Sequence, residues 1–290
     1  MAYLFIILSV CAGLAEGFLI KEYNKKYEKG GFIFTAIVSL CAMIYFVIYD
    51  LIVDDAGLIF LPEMLPYAII AGILYCAASV LTYYALQIGS FALTMLILSY
   101  SLVFSVLYGL LFLHEPATPF TYIGFGLMVL SIFFFRGKEE QGKEKKKFSF
   151  LWLICITISV IGSGMFGVLS RMQQIRFNDT VTNEFMALAL GISAMVLFAV
   201  GFIKDKKDCF YILKKGSCYA FGAGIANGVK NMLSNVVYMM IAISISAPTS
   251  AGIRIVITFL LSYFVFKEKF LKRQVVGVVL GAIAVVLLNI

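Results

Sequence analysis

Between Phe221 and Ile243 an apolar run long enough to cross a bilayer carries Asn227, Lys230, Asn231, Ser234, Asn235 and Tyr238. At about 100° per residue on an α-helix, these six side chains fall within an arc of roughly 140°. The other faces are Ile, Val, Leu, Met, Ala and Gly. A lysine and three amides in a membrane helix are costly unless they meet protein or water, so this stripe is expected to look inward. The next apolar run repeats the pattern with Ser246, Ser250, Arg254, Thr258 and Ser262 at every fourth position, Arg254 near the middle. Hydroxyl and amide rows often serve only as hydrogen-bond glue between helices, but glue rarely requires a lysine or an arginine. Lys230 or Arg254 is therefore expected to receive a carboxylate or phosphate of a substrate. Asn227, Asn231 and Asn235 would supply neutral hydrogen bonds, and Tyr238 and Tyr75 would close the walls.

Glu16 is the one clear intramembrane anion. It falls late in the first apolar run, where Lys21 or Lys25 is within reach as a structural partner. It could equally bridge to one of the two intramembrane cations.

Composition says which elements position these residues. The 290-residue chain is 62% hydrophobic and 13% charged, with mean hydropathy +1.00. A soluble chain is nearer half apolar and a quarter charged, so an all-α membrane protein is expected. Ten apolar runs, at 3–20, 31–49, 64–86, 90–112, 118–135, 149–170, 183–203, 217–243, 245–266 and 273–289, are read as ten transmembrane helices. The hydrophilic stretch 137–148 divides a first five-helix repeat, 1–136, from a second, 149–290, and is read as a cytoplasmic linker. Of the 23 Lys and Arg, 19 fall on one side of the alternating loops and only Arg171 and Arg176 on the other. Positive loops mark the cytoplasm, so a multi-pass protein of the cell membrane with both termini outside is expected. The first apolar run has no basic segment before it and no A-x-A after it, so it is expected to stay as a membrane helix.

Five helices per half force the second half into the bilayer upside down relative to the first. A shift of 153 residues pairs Glu115 with Glu268, Gly124 with Gly277, and Ser101 with Arg254. A shift of 150 pairs Gly17 with Gly167, Lys21 with Arg171, and Glu16 with Phe166. The two glutamate loops carry opposite charge bias: Leu113 to Pro119 has no Lys or Arg, whereas Phe266 to Arg273 has four. Inversion predicts that contrast.

These paired ends resemble the EamA-like group of the drug/metabolite transporter superfamily. A helix closes in LFLHE at 111–115 before Tyr122-Ile123-Gly124, and again in FVFKE at 264–268 before Val275-Val276-Gly277. The family often shows a proline early in its fourth and ninth helices. The comparable places here read Tyr100-Ser101-Leu102-Val103 and Ile253-Arg254-Ile255-Val256, without one. The resemblance implies secondary transport of a small polar metabolite by alternating access, with an amino acid or organic anion as the expected cargo. Leu14-Ala15-Glu16-Gly17 is also similar to the first helix of small multidrug resistance proteins, which implies proton-coupled export of cationic drugs through Glu16 as the alternative.

Other classes lack support in the sequence. There is no P-loop, nucleophile elbow or C-x-x-C, so no enzyme and no cofactor is expected. A lipid-modifying enzyme would need clustered acids or histidines near an interface, and Asp50, Asp54 and Asp55 read as exposed loop residues without metal spacing. The six cysteines read as small core residues. The basic residues lie in loops that set orientation, so nucleic acid is not an expected partner. The expected partners are the substrate, the bilayer and, in the alternative, a coupling proton; a monomer is expected. Gly13/Gly17, Gly224/Gly228 and Gly277/Gly281 allow close helix contact and do not establish a dimer.

Overall fold

In lipid a backbone must satisfy its own N–H and C=O groups, and among the described residues every regular element is a helix. The structure, a computed structural model, describes residues 1–27, 29–53, 59–114, 118–135, 150–206, 209–264 and 272–287. The helices are α1 Ala2–Tyr27, α2 Gly31–Val53, α3 Leu65–Ile88, α4 Phe91–Leu98, α5 Leu102–Leu111 and α6 Pro119–Phe135 in the first half. The second half has α7 Phe150–Arg176, α8 Thr182–Lys204, the single turn α9 Cys209–Tyr211, α10 Ser217–Met240, α11 Ile243–Phe264 and α12 Lys272–Leu287. The chain is an all-α membrane protein: among the described residues, seven stretches are long and apolar enough to span a bilayer. Two further apolar helices, Pro119–Ser131 and Val275–Ala284, are shorter. Helix α10 spans 24 residues, but its polar stripe lowers its mean hydropathy.

The linker and both glutamates, Glu115 and Glu268, lie outside the described residues, as do Asp54 and Asp55. Several expectations need correction. Helix α1 continues to Tyr27, so Glu16 is near its middle and not at its end. Hydropathy falls after residue 20, but Lys21, Lys25 and Lys26 keep good helix propensity and carry the helix on. Lys21 Nζ donates to the carbonyls of Leu86 and Gly89, both at 2.6 Å, satisfying the C-terminal end of α3. Pro248 lies inside α11, so the ninth run does hold an early proline. The fourth run is broken as well, where a 3-10 turn, Ser99–Ser101, separates α4 from α5. Asp50 is buried, not exposed, and accepts a hydrogen bond from Asn183 Nδ2 at 3.1 Å. Of the cysteines only Cys155 is buried, and Cys11 and Cys218 are exposed on the outer faces of their helices.

Helix packing keeps the same pattern when the halves are exchanged. Helix α2 packs on α8, α5 on α11 and α6 on α12, while α1 on α10 is matched by α7 on α3. Helix α10 on α2 is likewise matched by α3 on α8. The closest approaches of a glycine to another helix's backbone follow the same rule. A Cβ on Gly72 would stand 2.7 Å from the Ala189 carbonyl oxygen, and one on Gly224 would stand 2.8 Å from that of Val38. Only glycine lets these backbones come so close.

A layer of aromatic residues closes the lysine-rich end. Tyr23 stacks on Phe34 with ring centroids 4.2 Å apart. Tyr23 and Tyr83 both donate to the Lys29 carbonyl, at 2.8 and 3.1 Å, and all three rings are fully buried. Toward the middle of the bundle, the layer gives way to a polar interior.

Candidate functional site

Two adjoining cavities of about 220 and 110 Å³ lie between α1, α3, α7, α10 and α11. They share Ser101, Ser163, Gly167, Ser234, Tyr238 and Arg254 in their walls. The larger holds Glu16, Tyr75, Lys230, Asn231 and Asn235; the smaller is lined chiefly by hydroxyls, among them Ser9, Ser99, Ser105 and Ser250. The inward orientation of α10 follows from its sequence: of its polar arc, Lys230, Asn231, Ser234, Asn235 and Tyr238 line the cavities.

The two cations differ in their surroundings. Lys230 Nζ forms a salt bridge with Glu16 Oε2 at 2.7 Å. The other carboxylate oxygen, Oε1, accepts from Asn227 Nδ2 at 2.6 Å. Asn227 also donates to the Tyr75 hydroxyl, and its own Oδ1 accepts from Asn231 Nδ2 at 2.9 Å. These contacts make a continuous network from α1 through α10 to α3. Arg254 has no salt bridge or hydrogen bond among the described residues, and its Nε is buried without a partner. Glu16, Lys230 and Arg254 together leave the cavity one formal positive charge.

The residues expected at the site are brought together, but not all in the expected way. Glu16 pairs with Lys230 and with neither Lys21 nor Lys25, which corrects that alternative; Lys25 faces Glu22 at 4.0 Å. Asn227 is fully buried behind the wall and braces Glu16, so its hydrogen bonds are already used. Asn235 is held by Ser170, whose Oγ donates to Asn235 Oδ1 at 3.0 Å, and by Gln174 Nε2, which donates to its backbone carbonyl at 3.3 Å. Tyr75 and Tyr238 stand in the wall as expected. Phe166, the counterpart of Glu16, faces the same cavity and packs on Tyr75 with centroids 4.9 Å apart.

Sequence reasoning missed Ser163 and Ser170 of α7. Their signal was present: Ser159, Ser163 and Ser170 recur on one helix face, four and then seven residues apart. In α11, Ser246 and Thr258 point into protein and are fully buried, whereas Ser250 and Arg254 reach the cavity. The every-fourth-residue row drifts around the helix, so it cannot serve one site along its whole length.

Among the described residues there is no cluster of His, Cys, Asp or Glu able to hold a metal ion. The arrangement can bind: it offers one unpaired guanidinium, several hydroxyls and amides, and a carboxylate with an ammonium already on it.

Comparison with known proteins adds a family likeness. Residues 1–137 match the model of the EamA-like transporter family. One crystal structure of a protein aligns with 99% of this chain and 95% of its own at a TM-score of 0.69 and 12% identity, which shows a shared fold. Among curated proteins no match was found.

Proposed function

Residues 1–137 match the EamA-like transporter family, and from that likeness we propose that the chain is such a transporter and moves a small polar metabolite bearing an anionic group. An amino acid or organic acid fits best. The cargo binds in the central cavity, and access alternates between the two membrane faces as one half moves against the other. In this reading the chain crosses the cell membrane ten times, as two inverted five-helix repeats with both termini outside. It works as a monomer and catalyses no reaction.

The observation that carries this reading is Arg254, a guanidinium on the cavity wall with no partner among the described residues. An arginine with no hydrogen-bonded partner at membrane depth is costly, and a cargo carboxylate would relieve that cost with paired, charge-assisted hydrogen bonds. The alternative, export of cationic drugs through Glu16, is less well supported. Glu16 already holds Lys230, and the cavity's net positive charge repels a cation.

Thermal unfolding of purified protein tests the proposal against amino acids, organic acids, inorganic phosphate and quaternary amines. A ligand at one hundred times its dissociation constant stabilises by about 2.7 kcal/mol. At least one carboxylate is expected to raise the unfolding temperature of the wild type, and Arg254→Met is expected to lose that response. A shift seen only with quaternary amines, or an anion response kept in Arg254→Met, would overturn the reading.

A further inference from the structure

The Glu16 carboxylate is held by two neighbours of different kinds. Asn227, on Oε1, is fully buried and is itself fixed by Tyr75 and Asn231. Lys230, on Oε2, is the end of a flexible four-carbon stem on the cavity wall, with 22% of its side chain exposed. Take the ammonium away and the carboxylate still points into the cavity, because the amide network holds it. A bridge that served only to neutralise Glu16 would need no such second support.

The floor beside this pair is Gly13. The Lys230 Cδ lies 3.1 Å from where a Cβ on Gly13 would stand, and Arg254 Nη2 lies 3.9 Å from the same point. The lysine stem therefore has a bare glycine surface to slide across, and Arg254 is beside it.

From this geometry we infer that Lys230 is a tethered stand-in for a cargo ammonium, so the cargo belongs to the amino acid class and is not a simple organic acid. The inference rests on the reading of Arg254 as the anion contact. On binding, the cargo ammonium takes the place of Lys230 on Glu16 Oε2, and the cargo carboxylate goes to Arg254. The displaced Lys230 moves over Gly13 toward that same carboxylate. Every charge in the loaded cavity then has an opposite group in direct contact, whereas in the empty one Arg254 makes no salt bridge or hydrogen bond among the described residues.

Isothermal calorimetry on the full-length protein in detergent tests this with ligand pairs that differ only by the ammonium group. Suitable pairs are L-alanine and propionate, L-glutamate and glutarate, and L-phenylalanine and 3-phenylpropionate. In at least one pair the amino member is expected to bind about tenfold tighter or more, as a charge-assisted hydrogen bond allows. Lys230→Met removes the internal competitor, so amino acid affinity should rise relative to the deaminated acid. The double variant E16Q/K230M removes both charges of the pair at once, so neither partner of the bridge is left behind as an unpaired ion. It should bind the two members of each pair within about twofold, the difference having fallen with the lost charge contact.

Equal binding within every pair in the wild type overturns this inference but leaves the anion site at Arg254 standing. Discrimination retained in the double variant also overturns it. If no member of any pair binds, the anion site falls as well.

Discussion

The two halves agree in their frame and disagree in their chemistry. Gly72 of α3 meets a carbonyl of α8, and Gly224 of α10 meets a carbonyl of α2 in the same way. Where the halves face the cavity the likeness ends: Ser101 stands where the other half has Arg254, and Phe166 where it has Glu16. Even the mutual contact of α3 and α10 is between unlike groups, Tyr75 and Asn227. Packing constrains the backbones to one repeated solution. Binding an asymmetric cargo requires that the lining not repeat.

Making the halves alike at the position of the lone cation gives the largest expected effect. Arg254→Ser copies the residue of the first half. Loss of a charged hydrogen-bond pair in a poorly solvated site costs about 3 kcal/mol, so binding of the cargo should fall roughly a hundredfold by calorimetry. The unfolding temperature should hold or rise, because a charge without a hydrogen-bonded partner on the wall of a narrow cavity has been removed. Binding kept within a few-fold of wild type would break the link between asymmetry and the cargo site.

The frame is tested next by breaking each half separately. In Gly72→Ala and Gly224→Ala the new Cβ meets a backbone carbonyl, which cannot swing aside as a flexible side chain can. Each should cost about 1–3 kcal/mol, the usual range for overpacking. Thermal unfolding should fall by similar amounts in the two variants. Markedly unequal losses would show that the two glycine contacts do not play the same part.

How much of this was legible in the sequence depends on what each feature depends on. The polar arc of α10 was legible because helical periodicity alone decides which side chains share a face. The convergence of Glu16, Lys230, Arg254 and Tyr75 followed from the cost of charge in lipid, which leaves such residues only the interior. The partner choice was not legible. Glu16 pairs with Lys230, 214 residues away, because α1 packs on α10, and no local spacing reports that. Asn227 was expected to touch cargo, yet it braces Glu16 from behind the wall. A helical wheel gives direction but not depth behind the neighbouring helix. The likeness of the halves was faint in the sequence for a related reason: what their frames share is a glycine against a carbonyl, and a carbonyl has no letter in the sequence.

Gly13→Ala sharpens the contrast between frame glycines and site glycines. Its Cβ would press on the Lys230 stem at 3.1 Å, a flexible group that can yield. Unfolding should therefore change by less than about 1 kcal/mol, well short of the loss at Gly72 or Gly224. Amino acid binding should still weaken several-fold, because the path of Lys230 away from Glu16 is narrowed. Unchanged binding would remove Gly13 from the site and return it to the frame.

Ser101→Ala should have the smallest effect, and its size bears directly on how far the halves differ. Ser101 shares with Arg254 the wall between the two cavities, at the end of the 3-10 turn that parts α4 from α5. A neutral hydroxyl contributes about 1 kcal/mol through one hydrogen bond, so affinity should drop about fivefold or less. The fold should be indifferent, since the hydroxyl makes no hydrogen bond among the described residues that the change would break. Arginine and serine would then contribute unequally at positions the repeat makes equivalent. A loss at Ser101 as large as that at Arg254 would mean that the first half grips the anion as firmly as the second, and the site would be symmetric in energy though not in charge.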